Sequence, residues 1–461
     1  MEETVFESIA WIIAVNLALY MKTLRYRFVS DDFSVWKNPP PFKNAWHRAW
    51  LRFIGAAKLL SPSVHFVVVN KKPCIAFIKN EEFEHLIAIL IHTAICISMY
   101  FAFGPNDVSF VAALLYSVTP VNNQATIWPG GRGYALPILC ILLSMCWWPL
   151  SLVLIPFCAW FTVGFLAPLA LLGSDWWYIP AIVLPFAWWI NGKKFKTAVG
   201  NKIKSETFAE DRVIHPKKLV LGIKTFGFYV AFCLIPFRVT FYHNFLQSAA
   251  GSLKHRSYTF CRYFWIGVAT MVGMIAYAVL VPWNSLTWAL LAFVISVLPF
   301  CNFIRATQEI AERFVALPNV FMMYALAQVI TAYPVIVAAF VAFYATRTYY
   351  TLIMYKDEYF ITEAAIIEDP YAWWAWHCRA MKRWDTQSYK EALILWVMAR
   401  MISPKEFKVL MNIATCLRLL KNDKEADEYL ALAQENIIAG QEEAAAGFIA
   451  DHKKGKLPIL L

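Results

Sequence analysis

The sequence predicts an all-α fold: a polytopic helical membrane protein that continues into a C-terminal helical repeat. Three observations predict it. The 461 residues are 60% hydrophobic and only 16% charged, with a mean hydropathy of +0.50, whereas soluble domains run near 45–50% apolar and about 25% charged. Apolar runs recur along the first three quarters of the chain, several of them approaching the roughly 17–25 residues that a helix needs to cross a hydrocarbon core. From about residue 349 these runs give way to apolar residues at helical spacing among charges.

The first run, residues 4–21, reads as a retained span, because Met1-Glu2-Glu3-Thr4 lacks the basic segment that precedes a cleaved signal. Residues 22–85 form a polar first loop of 64 residues. It carries Asp31 and Asp32 and short pieces such as Trp46-His47-Arg48-Ala49-Trp50-Leu51, whose interleaved aromatic and basic residues suit helices lying in the membrane interface. Further runs lie near 86–103, 108–121, 134–147, 149–173, 176–190, 219–241, 262–282, 286–304, 320–332 and 335–348. The expected total is about 11 spans, with two or three helices in 149–190 and Pro334 dividing the last pair. The chain therefore divides into a membrane domain, 1–348, and a repeat domain, 349–461.

Charge follows the same division. Residues 349–461 hold 14 Lys+Arg and 16 Asp+Glu, against 28 and 15 in the rest of the chain. A basic membrane half suits anionic lipid or a lipid phosphate. Nucleic acid is a poor fit, since neither a basic helix nor an aromatic RNA-binding signature is present. The positive-inside rule would place the basic loop 191–218 and the basic first loop in the cytoplasm, but it loses force for loops beyond about 60 residues, so charge leaves the orientation open. The ten cysteines show no metal-type spacing, and Cys96, Cys140, Cys146 and Cys233 read as small apolar residues.

A 34-residue period marks the C-terminal part. Ala392 recurs as Ala426 and Ala399 as Ala433. Trp376, Ala380, Trp396 and Pro404 occupy the large, small, large and terminal positions of a tetratricopeptide unit, and Leu410, Ala414 and Leu430 do so in the next. Two repeats are fewer than the usual three. The array is thus expected to lean on the membrane part or on the tail near 441–450.

Four polar constellations stand out. Asp31-Asp32 is compatible with a general base and its orienting neighbour and equally with a helix cap, given Ser30. The turn from Thr119 to Gly133 holds Asn123, Gln124, two adjacent glycines and Arg132; its glycines permit close approach of backbone to a ligand, and Arg132 suits a phosphate. Glu312-Arg313 is either a structural ion pair or a guanidinium that neutralises a leaving phosphate, oriented by the carboxylate. His243 is either an interface histidine or an acid beside that phosphate.

Taken in order, these features resemble the transmembrane and tetratricopeptide-repeat O-mannosyltransferases, of the GT-C class of glycosyltransferases. The family turn, His-Pro-x-x-Thr-Glu-Ala-x-x-x-x-x-Gly-Arg, aligns without a gap from Thr119 to Arg132, and its Glu-Arg-Tyr-x-Tyr-x-Pro is matched by Glu312, Arg313, Phe314 and Pro318. The family's His, Thr and Glu are here Thr119, Asn123 and Gln124, and its Lys-Glu pair is replaced near Gly164-Phe165.

The resemblance implies an inverting transfer of mannose or another hexose from a polyprenyl-phosphate-sugar to a hydroxyl, of protein Ser/Thr or of a bacterial glycan. Asp32, with Asp31, would be catalytic. Arg132, Arg313 and His243 would hold the donor phosphate, and Asn123, Gln124 and Glu312 the substrate. No metal or other cofactor is expected, the lipid-linked sugar being a co-substrate. The site would face the extracytoplasmic side of a bacterial inner membrane or the endoplasmic reticulum. A transporter, or a membrane scaffold whose repeats recruit a partner, is the alternative of another class; a transporter would call for internally repeated spans and charges at mid-membrane, and the sequence shows neither.

Overall fold

The computed structural model of the protein describes residues 2–27, 81–158, 216–237, 239–240, 260–301, 310–368, 370–437 and 442–453. Asp31, Asp32 and His243 lie outside the described residues, as do the interfacial pieces of the first loop and the run near 176–190. Among the described residues every regular element is helical, with 17 α-helices, short 3-10 turns and no strand. They divide into two compact units, one ending at Asp357 and the other taking up the chain at Glu358.

The first unit contains α1 (Glu2–Tyr20), α2 (Glu81–Ala102), α3 (Asp107–Val118), α4 (Asn123–Thr126), α5 (Arg132–Cys146), α6 (Trp148–Cys158), α7 (Pro216–Leu234), α8 (Arg262–Leu280), α9 (Ser285–Val297), α10 (Ala316–Ile330) and α11 (Pro334–Leu352). Four stretches are long and apolar enough to cross a membrane: Thr4–Arg25, Glu82–Ala102, Arg262–Leu280 and Pro334–Tyr355. Five further apolar helices among the described residues are shorter, so fewer of the expected spans have full length than the apolar runs implied.

The reason lies in their ends. An Asn106 capping box starts α3, with the Ser109 N–H donating to Asn106 Oδ1 and the Asn106 N–H to Ser109 Oγ, both at 3.0 Å. Pro120 follows directly after that helix closes. Asn284 caps α9 by accepting from the Thr287 N–H at 2.9 Å, and Pro299 tightens its exit into a 3-10 turn. Capping and proline chemistry thus sets where these short apolar helices begin and end.

α2 packs against α1, α3 and α5, and α10 packs against α3 and α9. α7 and α8 cross where Gly227 meets Gly267; a Cβ on Gly227 would stand 1.9 Å from the Tyr263 carbonyl oxygen. Elsewhere α8 and α11 leave large apolar side chains uncovered, among them Val279, Leu280 and Val335.

The C-terminal ends of α1, α3 and α11 meet. Asn16 Nδ2 donates to Ser117 Oγ at 3.0 Å, and the Tyr20 hydroxyl to the Ser117 carbonyl at 3.1 Å. Thr348 Oγ1 donates to the Val118 carbonyl at 2.6 Å. The Arg27 N–H donates to the Lys356 carbonyl at 3.1 Å.

The second unit contains α12 (Glu358–Glu368), α13 (Trp373–Asp385), α14 (Tyr389–Ile402), α15 (Phe407–Leu419), α16 (Asp423–Glu435) and α17 (Glu442–Lys453). α13 packs on α14 and α15 on α16, each pair joined by a three-residue turn. The 34-residue period is carried in the backbone of those turns. Gln387 and Lys421 both adopt left-handed φ, 60° and 63°. The Ser388 N–H donates to the Arg383 carbonyl and the Asn422 N–H to the Leu417 carbonyl, each at 2.9 Å. Both helices therefore end in the same left-handed closure.

The recurrent small residues Ala380, Ala392, Ala399, Ala414, Ala426 and Ala433 are all fully buried, as is Trp396, with Leu430 nearly so. Trp376 is half-buried against the same core, and Pro404 is exposed. Of the two supports expected for the short array, the tail is one in fact: α17 lays Ala445 and Ile449 against Phe407, Leu410, Met411, Ala414, Leu430 and Ala433.

Candidate functional site

The turn between α3 and α5 is built from short pieces, a 3-10 turn at Pro120–Asn122, then α4, then a second 3-10 turn at Pro129–Gly131. Prolines start both 3-10 turns because a fixed φ suits a first helical position. Gly131 is where the turn folds back on itself. A Cβ there would lie 2.4 Å from the Gln124 carbonyl oxygen and 3.0 Å from Ala125 Cα. The close approach that its glycines permit is thus made to the chain's own backbone.

This folding buries Asn122, Asn123, Gln124 and Thr126 in an apolar setting, where each polar group needs a partner. Asn122 Nδ2 donates to the Tyr116 carbonyl at 2.9 Å. Asn123 Nδ2 donates to Thr351 Oγ1 on α11 at 2.7 Å. Thr126 Oγ1 is hydrogen-bonded to His92 Nδ1 at 3.1 Å, and His85 Nδ1 to the Ile127 carbonyl at 3.0 Å.

The segment Glu312–Phe314 is a 3-10 turn that leads into α10. It meets the first turn directly. Gln124 Oε1 accepts from the Arg313 N–H at 2.9 Å, across 189 residues of sequence. The Tyr116 hydroxyl donates to the Ala316 carbonyl at 3.1 Å, and Asn319 Nδ2 to Asn122 Oδ1 at 3.2 Å. Asn123, Gln124, Glu312 and Arg313, named separately from the sequence, therefore belong to one polar cluster.

The two arginines stand in different settings. Arg132 is 1% exposed and pairs with Glu84 on α2: Arg132 Nη1 lies 2.7 Å from Glu84 Oε2, and Nη2 donates to the Glu84 carbonyl. Its charge is balanced from within the fold, and it ties α5 to the start of α2. Arg313 is 8% exposed and its Nε donates to the Tyr134 hydroxyl at 3.2 Å. Its guanidinium carbon stands 5.7 Å from the Trp128 and Tyr134 ring centres and 5.2 Å from that of Phe314. Aromatic faces stabilise a cation at such distances through their quadrupoles.

Glu312 is 1% exposed. Its Oε1 accepts from the Thr240 N–H at 2.6 Å, and its Oε2 lies 3.5 Å from the Tyr355 hydroxyl, the outer limit of a hydrogen bond. Oε1 thus reaches the segment after α7 and Oε2 the 3-10 turn after α11, while Gln124 binds the Arg313 backbone N–H and Tyr134 its guanidinium.

Glu84, Trp128, Tyr134, Thr240 and Tyr355 were not singled out from the sequence. Their signal was faint: each is one polar or aromatic residue near the end of an apolar run. Lys224, buried within α7, also escaped notice. Among the described residues no group of three or more His, Cys, Asp or Glu is placed to hold a metal ion. Compared with family models, with curated proteins and with solved structures, the chain matches none.

Proposed function

We propose that the protein is a multi-pass membrane glycosyltransferase of the GT-C type, which moves a sugar from a polyprenyl-phosphate carrier to a hydroxyl acceptor. The observation that carries this reading is the bond from the Arg313 N–H to Gln124. It joins the two segments on which the family resemblance rests, and it does so at one end of the helical unit. Arg27, which precedes the aspartates in the sequence, is bonded to Lys356 at that same end. Apolar side chains left exposed on α8 and α11 suit a lipid surround.

In this reading Asp32 takes the proton of the acceptor hydroxyl, with Asp31 beside it. The acceptor oxygen forms a bond to the anomeric carbon as the bond from that carbon to the phosphate oxygen breaks, and the configuration inverts. The electron pair leaves with the polyprenyl phosphate. Arg313 neutralises that growing charge, where a fixed donor of this kind is worth about 10²–10³ in rate. Arg132, already paired with Glu84, contributes by holding the turn. The acceptor is a protein Ser/Thr or a glycan, the site is extracytoplasmic, and the repeat unit, which resembles a tetratricopeptide array, receives the acceptor or a partner.

The test is transfer of a radiolabelled sugar from a polyprenyl-phosphate donor, in membranes containing the chain. Asp32→Asn is expected to abolish transfer with the fold intact, and retained turnover removes the base assignment. Arg313→Ala is expected to slow use of the donor by about 10²-fold or more, and an unchanged rate makes Arg313 structural only.

A further inference from the structure

Within the second unit a cavity of about 270 Å³ opens between α12 and α13. One wall is α12, with Glu358, Tyr359 and Thr362. The other is a single face of α13, on which Arg379, Lys382 and Arg383 follow one another at helical spacing, ending at Thr386. Three cations face one carboxylate across this space.

The repeat does not require those cations. Thirty-four residues on, the same positions of α15 are Ile413, Cys416 and Leu417, all buried in the core between the helix pairs. In the first pair the corresponding face is charged and covers a void instead. Lys382 and Arg383 stand in the last turn of α13, where the helix dipole favours cations, which offsets the few tenths of a kcal/mol of repulsion between like charges three and four apart.

The cations are only lightly engaged. Arg379 lies over the Tyr359 ring, 4.9 Å from its centre, and donates to the Tyr359 hydroxyl at 3.1 Å. Arg383 meets Glu391 at 3.1 Å, with both side chains about half exposed or more. Lys382 is exposed and has no ion-pair partner among the described residues.

We propose that this cavity is a docking site for an acidic protein segment, one of whose carboxylate side chains enters between α12 and α13. The volume suits one or two side chains. Lys382 and Arg383 would meet the carboxylate, Thr362 and Thr386 would offer hydroxyls, and the Tyr359 ring with its stacked Arg379 would flank the aliphatic part. The site is independent of the transfer chemistry proposed above and serves recognition of a partner.

The experiment uses the full chain in detergent and a fluorescein-labelled peptide of alternating Glu and Ser, with the Gln-Ser peptide as its neutral counterpart. The acidic peptide is expected to bind at least about tenfold more tightly, to weaken steeply with salt, and to lose that preference in Lys382→Glu. It is also expected to lose that preference in Arg383→Glu, with the helical circular dichroism of both variants matching that of the unaltered chain. Equal binding of the two peptides, or undiminished binding by folded Lys382→Glu or Arg383→Glu, overturns the proposal. So does capture of the chain by anionic-lipid vesicles through Lys382 without any binding of the acidic peptide, which reassigns the cations to headgroups.

Discussion

At the scale of single residues, the turn between α3 and α5 depends on two constraints of different origin. One is electrostatic. Glu84 and Arg132 form a buried pair, and removing one partner strands a charge in a medium that solvates it poorly. Glu84→Gln is expected to destabilise the first unit by about 3–5 kcal/mol, read as thermal unfolding in detergent. The double variant Glu84→Gln/Arg132→Met is expected to recover part of the loss, and no recovery would show that the pair acts through packing instead. The other constraint is steric. Gly131→Ala forces a methyl onto the Gln124 carbonyl, whereas a Cβ at Gly273 meets nothing within 4 Å. Gly131→Ala should therefore cost about 1–3 kcal/mol, and Gly273→Ala, within α8, should stabilise by about 0.5–1 kcal/mol. Equal effects at both positions would remove the close-approach argument.

At the scale of elements, the repeat pairs close through a backbone conformation that disfavours their own residues. Gln387 and Lys421 hold positive φ, a region where a side chain is strained and glycine is not. Gln387→Gly and Lys421→Gly are each expected to stabilise the repeat unit by about 0.5–1 kcal/mol, and Gln387→Val to destabilise it. Denaturant titration measures both. A glycine variant that loses stability would show that the side chain, not the backbone, holds the turn. The period was legible in the sequence because Ala392/Ala426 and Ala399/Ala433 sit where two helices touch and only a small residue fits. The left-handed turns were not legible, since Gln and Lys carry no signal for that conformation. The same limit applies to the ends of the apolar helices. Hydropathy marks an apolar run, but Asn106, Pro120 and Asn284 decide where hydrogen bonding starts and stops.

At the scale of the whole molecule, the division falls after Asp357, later than the composition change near 349. The reason is that the polar end of α11 still works for the first unit. Arg347 donates to the Pro236 carbonyl at 3.4 Å and also to that of Phe237, and Thr348 and Tyr355 bond to Val118 and toward Glu312. With two compact units, urea is expected to produce a transition of the repeat unit alone at lower concentration than that of the apolar helices. Ile449→Ala, which empties the seat of α17 on the repeat core, should shift only that transition, by about 2–4 kcal/mol. A matching shift in both transitions would mean that the units unfold together.

What the sequence determined by itself was helical class, the place where apolar runs yield to a repeat, and which short polar segments interrupt the apolar ones. Those properties follow from local spacing, composition and turn chemistry, which need no partner to be read. Only the tertiary structure decided that Gln124 holds Arg313, that Arg132 is balanced by Glu84, and that Glu312 turns to Thr240 and Tyr355. A buried polar group must find its partner wherever the fold supplies one, and here those partners lie tens to nearly two hundred residues away, beyond the reach of any pattern along the chain.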